Sequence, residues 1–223
     1  DRLRELAGEI GREAVTIVPA DLTAEEAPSR VAEAVEREHG RLDVLVNNAG
    51  GAWRGRFADG GWEDVRRHMA LNFDAAVRLT AALLPTLRHS APSAVVNVGS
   101  VAGRVSRANS GAYSASKFAL AGWSDALHLE EAPHGVHVGL VLPGFIATEG
   151  FPQRELLGRA LTRPLVSRPE RVAEAIVDVA LNRRAERYVP RFYSIAAAAR
   201  VLAPPLVRRA TGGGGAMTPE TDS

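Results

Sequence analysis

Apolar residues recur along this chain in two rhythms. Leu3, Leu6, Ala7 and Ile10 fall three and four apart, the spacing of one helix face, and Gly11 follows as a stop. Residues 15–18 form a short β-branched run and read as a strand. Thr23 and Glu26 have the spacing of a capping box for a helix over 24–39, which Gly40 closes. Residues 44–46 read as a buried strand running into Asn47-Asn48-Ala49-Gly50. The pattern then predicts a long helix over 62–87 and a strand over 94–98 that ends at Gly99-Ser100. A helix over 112–132 and a strand over 136–142 follow, the strand stopped by Pro143-Gly144. A helix over 169–182 capped by Ser167 and a short strand at 188–189 complete the series.

Short, continuous, apolar strands alternating with helices specify an α/β fold, a doubly wound parallel sheet covered on both faces. Such sheets bind ligands beyond the carboxyl ends of their strands. Asp21, Asn47, Ser100 and Thr148 all follow strands. Residues 1–210 read as a single domain, and 211–223 as a Gly-rich, polar, disordered tail.

Composition narrows the function. Hydrophobic residues make up 46%, enough for a folded core. The 27 basic and 26 acidic residues leave a net charge of +1, which argues against an extended nucleic-acid surface. There is no cysteine, so disulfides, thiolate zinc sites and a cysteine nucleophile are excluded, and a cytoplasmic, reducing setting fits. The six histidines show no metal spacing; His134 and His137 straddle a strand start as surface or satisfied core residues. The arginine-rich stretch 154–171 reads as a solvated face. No apolar run reaches the roughly 20 residues of a membrane span. The best stretch, 195–207, is interrupted by Arg200, Pro204 and Pro205.

The chemistry centres on Tyr113-Ser114-Ala115-Ser116-Lys117. Four helical residues turn about 400° and rise about 6 Å, so Tyr113 and Lys117 share a face. A free phenol titrates near ~10 and is a poor base at neutral pH; a nearby ammonium favours the phenolate. Ser100, at a strand end, can donate a hydrogen bond to a substrate oxygen, or simply cap its loop. Asn72 lies mid-helix between Leu71 and Phe73, where asparagine needs a reason. It is either a satisfied buried amide or the holder of a water beside Lys117.

Asn47-Asn48-Ala49-Gly50, Asn72, Ser100, Tyr113-x-x-x-Lys117 and Pro143-Gly144-Phe145-Ile146-Ala147-Thr148 stand in an order and spacing that resembles the short-chain dehydrogenase/reductase family, in its single-domain branch. The resemblance runs from about residue 1 to residue 190 and implies a Rossmann-like fold. It implies Tyr113 as general acid/base, Lys117 as the group that lowers the Tyr113 pKa and holds the nicotinamide ribose, and Ser100 as the polariser of the substrate carbonyl. Asn72 would hold a water in a relay through Lys117. The cofactor, NAD or NADP, would lie against Asn47, Asn48, Ala49, Gly50, Pro143 and Gly144, with Ile146 and Thr148 on the nicotinamide amide and Asp21 and Leu22 near the adenine. Asp21 also reads as a residue leading into the helix at Thr23, and Thr148 as a cap.

The resemblance also implies a strand, a glycine-rich phosphate turn, a helix and a second strand ahead of Asp1. The expectation is an N-terminally truncated fragment of a longer gene product. Residues 15–18 then lose their neighbour, and residues 44–46 keep an unpaired buried edge. Gly212 to Gly215 follow no strand and do not replace the turn. Trp53, Phe57, Phe145, Phe151, Leu156, Leu157 and Leu161 make the substrate side apolar, suited to a hydrophobic alcohol, aldehyde or ketone. Residues 192–207 fit a cover for the site, a dimer contact or a membrane surface. Helices 62–87 and 112–132 imply a homodimer or homotetramer. The competing reading is a non-catalytic binding protein that keeps the core and has lost the dinucleotide.

Overall fold

The computed structural model describes residues 2–53, 55–148, 153–160 and 162–212. Helix α1 (Arg2–Ile10) ends at Gly11, and α2 (Ala27–Glu38) closes at Gly40, whose N–H bonds the Val35 and Glu36 carbonyls. Strand β1 (Val44–Asn47) leads to helix α3 (Phe57–Met69), a π turn (Ala70–Asp74) and helix α4 (Ala75–His89). Then come β2 (Ser93–Val98), α5 (Gly111–Glu131), β3 (Val136–Pro143) and β4 (Phe145–Ile146). Short helix α6 (Arg154–Leu157) precedes β5 (Val166–Ser167), α7 (Pro169–Leu181), β6 (Glu186–Val189), α8 (Tyr193–Leu202) and α9 (Pro204–Gly212).

Four strands form one parallel sheet in the order β1-β2-β3-β6, with Asn47 opposite Asn97, Val96 opposite Gly139, and Pro143 opposite Val189. β4 and β5 make a separate parallel pair. All of β2 and nearly all of β3 are buried, because helices cover both faces. On one face Leu45, Val95, Val136 and Val138 pack with Leu79, Leu83, Leu87 and Leu127. On the other, Val96, Val141 and Val189 pack with Ala175 and Val179 of α7. Each such Leu or Val contributes roughly 1.5–3 kcal/mol of burial, and together they fix the strand ends that carry the site.

Several expectations change. Residues 15–18 form no strand: Val15 is extended, but no neighbouring strand offers a ladder, so its backbone stays outside the sheet. β1 is the sheet edge, and Val44 and Val46 are 37% and 38% exposed rather than a buried edge. The capping box does not form; α2 starts at Ala27, after Glu26, without a side-chain cap, because Thr23 is turned to Asp21. Ser167 does not cap α7; it pairs with Ile146, and Arg168 precedes the helix. The helix expected over 62–87 starts earlier, kinks at Gly61 and contains the π turn around Asn72. Residues 192–207 split into α8 and α9 at Ala203, where Pro204 starts the second helix. Thr211 and Gly212 belong to α9, so the fold continues into the expected tail; residues 213–223 lie outside the described residues.

Candidate active site

The carboxyl ends of β1, β2 and β3 open onto a cavity of about 460 Å³. Ser100 follows β2, Tyr113 and Lys117 come from α5, and Pro143, Gly144, Ile146 and Thr148 come from the end of β3 and beyond. All of them line the cavity, together with Asn48 and Gly50. Gly103 is what lets the Ser100 turn lie on α5: a Cβ there would stand 2.6 Å from the Lys117 carbonyl oxygen.

Lys117 is 5% exposed and its Nζ donates to the Val98 carbonyl at 2.9 Å. Burial penalises its charge and brings its pKa down to about 8. Burial pushes the Tyr113 phenol upward, while a hydrogen bond with Ser100 and the charge of Arg107 pull it down. The downward pull expected from Lys117 is not among these influences, since the ammonium is turned to Val98. The Ser100 hydroxyl accepts from Ala102 N–H at 3.1 Å and donates to the Pro143 carbonyl at 3.3 Å, which ties β2 to β3. It therefore caps its loop and faces the cavity at once.

Asn72 sits within the π turn and is 1% exposed. Its Oδ1 accepts from Gly51 N–H at 2.8 Å, and its Nδ2 donates to the Gly51 carbonyl at 2.9 Å and to Ser116 Oγ at 3.1 Å. A π turn rotates one residue out of helical phase and is frequent at functional sites; here it turns an amide into the loop after β1. A Cβ on Gly50 would lie 2.9 Å from Asn72 Oδ1 and 3.5 Å from Lys117 Nζ. Glycine at that position keeps open the space between amide and ammonium.

Other expected site residues lie elsewhere. Asn47 points inward: its Nδ2 donates to Thr80 Oγ1 at 2.9 Å and to Asn97 Oδ1 at 2.8 Å. Asn97 in turn donates to Ser124 Oγ at 2.8 Å. This buried network joins α4, β1, β2 and α5, and Asn47 and Ala49 are not part of the cavity wall. Asp21 is exposed, and its carboxylate accepts from the Thr23 N–H and hydroxyl, which hold its pKa below the usual carboxylate range. Asp21 and Leu22 stand apart from the cavity. His137 is buried with Nε2 3.1 Å from the Arg184 carbonyl, and His134 is exposed. No metal-binding cluster occurs among the described residues.

Among the described residues, only part of the expected apolar set reaches the cavity. Trp53 and Phe145 line the cavity, whereas Phe57 is 76% exposed, Leu157 is 40% exposed and Leu156 is core. Phe151 and Leu161 lie outside the described residues. Trp53 is held by His68, which is fully buried: His68 Nε2 accepts Trp53 N–H at 3.1 Å, so Nδ1 carries the proton and donates to the Asp64 carbonyl at 2.8 Å. The His68 ring meets the Trp53 ring edge-on, and the Arg67 guanidinium lies 4.0 Å over the latter.

Arg107, Gln153 and Tyr193 also line the cavity, and the sequence reading does not single them out by residue. Arg107 stands 4.7 Å over the Phe145 ring, Gln153 immediately precedes α6, and Tyr193 of α8 donates to the Leu165 carbonyl at 3.1 Å. Burial drives the Tyr193 pKa up to about 12. An arginine between Ser100 and Tyr113 is a legible signal; Tyr193 has none, since its place depends on how α8 folds back. That fold-back makes residues 193 and 196 a cover of the site, as one reading of 192–207 expected.

The cavity fits the nicotinamide end of a dinucleotide, because a hydroxyl, a phenol, an ammonium and the Gly50 gap converge on it. The phosphate turn that the resemblance implies is not among the described residues.

Comparison with known proteins agrees. A model of the short chain dehydrogenase family matches residues 1–155. Ketoacyl reductase HetN of Nostoc is 31% identical over 172 residues, 76% of this chain and 58% of that protein. The 3-ketodihydrosphingosine reductase of Bacteroides thetaiotaomicron is 37% identical over 137 residues, 61% of this chain and 51% of that protein. The chain thus spans about half to three-fifths of the length of these curated relatives. A short-chain dehydrogenase from Streptomyces avermitilis has a crystal structure that superposes with a TM-score of 0.77 at 28% identity, over 93% of this chain and 82% of the other. The family model covers more than half of the sequence, and the chain belongs to the short-chain dehydrogenase family.

Proposed function

We propose that this chain supplies the substrate side and the nicotinamide side of an NAD(P)-dependent oxidoreductase that interconverts an apolar alcohol and its carbonyl. The observation that supports it is the convergence of Ser100, Tyr113 and Lys117 on one cavity whose other walls include Trp53 and Phe145. When bound, the nicotinamide supplies the hydride chemistry. Lys117, Asn48, Ile146 and Thr148 would hold it. Ser100 Oγ turns its one proton from the Pro143 carbonyl, a long bond of 3.3 Å, to the substrate oxygen and orients it. Tyr113 gives its phenolic proton to that oxygen in reduction and takes it back in oxidation. Asn72 fixes the Gly51 backbone and, with Lys117, flanks the space where a water would complete a proton path.

The test follows nicotinamide fluorescence with NADH and NADPH, using this chain and a form extended upstream along its reading frame. It also measures turnover of medium-chain ketones and aldehydes. Binding together with turnover that falls about a hundredfold or more in Tyr113→Phe, at unchanged dinucleotide binding, supports the reading. Absence of dinucleotide binding by either form would move the protein to the non-catalytic reading.

A further inference from the structure

Helix α8 presents two unlike faces. Tyr193 and Ala196 line the cavity, and Ala197 is buried. On the opposite side Ile195, Ala198 and Leu202 follow one another at helical spacing, flanked by Val201. Ile195 is 70% exposed, Val201 76% and Leu202 83%. Helix α9, which follows directly, adds Leu206 at 68% exposure, and Phe192 just before α8 is 41% exposed. Single exposed apolar residues need no explanation, but a cluster on two consecutive helices does.

Charge identifies what covers it. Between Glu186 and Glu220 the sequence holds five arginines and no acidic residue; Arg187 pairs with Asp178 at 3.4 Å and Arg191 acts on the same carboxylate, which leaves Arg200, Arg208 and Arg209 on the two helices. Arg208 and Arg209 are exposed on α9. A second copy docked face to face would gather Arg208 and Arg209 of both chains, four guanidinium groups, in one seam to which these helices bring no acidic partner, which is repulsive. The exposed apolar residues of α8 and α9, together with the exposed Arg208 and Arg209, fit the interface of an anionic bilayer, where acyl chains take the leucines and headgroup phosphates take the guanidinium groups. We propose that the α8–α9 face docks on an anionic lipid surface, a property that goes beyond the oxidoreductase reading and does not depend on it.

The test mixes the full chain with vesicles of phosphatidylcholine, or of phosphatidylcholine and phosphatidylglycerol in equal parts, and measures the sedimented fraction. The expected result is binding to the anionic vesicles, reduced by salt, and little binding to the neutral ones. The pair Arg208→Ala and Arg209→Ala weakens it about 30-fold, and the pair Ile195→Ser and Leu202→Ser about tenfold or more. All four residues are exposed, so the folding of these variants is checked by circular dichroism, and the single changes Arg209→Ala and Leu202→Ser repeat the test if a pair fails to fold. Absence of sedimentation with anionic vesicles, or binding that both pairs leave unchanged, overturns the proposal. So does a self-associated species in sedimentation velocity that the apolar pair dissociates while vesicles recruit nothing.

Discussion

Asn72 holds Gly51 by both ends of its backbone: Oδ1 accepts from the Gly51 N–H at 2.8 Å and Nδ2 donates to the Gly51 carbonyl at 2.9 Å. The side-chain amide thus pairs with a backbone residue as a second peptide would. Replacing Asn72 by Ala leaves two part-buried backbone groups without partners, at a cost of about 1–3 kcal/mol for each one left unsatisfied. Asn72→Asp keeps the acceptor and loses the donor, so it sets a carboxylate against the Gly51 carbonyl. Urea unfolding is expected to rank wild type above both variants, and turnover to fall with them because Gly51 and Trp53 form the cavity wall. A variant as stable as wild type would show that the loop needs no such clamp.

The sheet, its parallel sense and the placing of Ser100, Tyr113 and Lys117 were legible because each depends on local pattern: a buried apolar run, a glycine stop, a four-residue helical spacing. What escaped depends on pairing between distant segments. The β-branched run at residues 15–18 has the composition of a strand, but a strand exists only by its neighbour. Asn47 follows a strand end like Asn48, yet the pleat turns one inward to Thr80 and Asn97 and leaves the other at the cavity. The π turn around Asn72 carries no sequence mark beyond an asparagine in a poor place. Tyr193 reaches the cavity only because α8 folds back across it.

The Asn47–Asn97 contact is a test of that inward network. Asn97 is fully buried, accepts from Asn47 at 2.8 Å and donates to Ser124 at 2.8 Å. Asn97→Leu strands one Asn47 donor in the core and is expected to cost about 1–3 kcal/mol. Adding Asn47→Leu removes the stranded donor, so the double variant recovers part of the loss. A double-mutant cycle in urea is expected to show a coupling of about 1–2 kcal/mol. Additive losses would mean the two amides are independent.

Gly103 sits where the Ser100 turn presses on α5, and a Cβ would come within 2.6 Å of the Lys117 carbonyl oxygen. Backbone cannot yield as a flexible side chain does. Gly103→Ala is expected to cost about 1–3 kcal/mol and to lower turnover by displacing Ser100 relative to Tyr113. Gly122, in the same helix α5, has nothing within 4 Å of its missing Cβ. Gly122→Ala is therefore the control, expected to stabilise by about 0.5–1 kcal/mol. Thermal melts of the two variants should move in opposite directions.

Arg107 and Tyr113 are electrostatically linked across the cavity. Burial raises the Tyr113 pKa, so in the proposed reaction the reduction, which would need the protonated phenol, is expected to stay on its plateau through neutral pH. The proposed oxidation would need the phenolate and is expected to climb as pH rises toward the Tyr113 pKa. The Arg107 charge opposes the rise. Arg107→Leu is expected to move the alkaline limb of kcat/KM for oxidation to higher pH and to leave the plateau of reduction in place. An unmoved limb would show that Arg107 does not act on the phenol.

Lys117 links the site to stability through pH. Its pKa falls from 10.5 to about 8 because burial disfavours the ammonium. Below the folded pKa the group is protonated in both the folded and the unfolded chain, and the folded protein bears the full penalty of the buried charge. Between about 8 and 10.5 the unfolded chain binds the extra proton, so stability rises with pH across that window. The shift bounds the penalty at about 3 kcal/mol. Lys117→Met removes the charge, at the loss of the bond to the Val98 carbonyl. The variant is expected to be more stable than wild type at neutral pH and inactive, and its advantage should shrink as pH rises through that window. Urea midpoints taken at steps from neutral to about pH 10 check this. A difference that stays constant with pH would mean that Lys117 keeps an ordinary pKa in the folded chain.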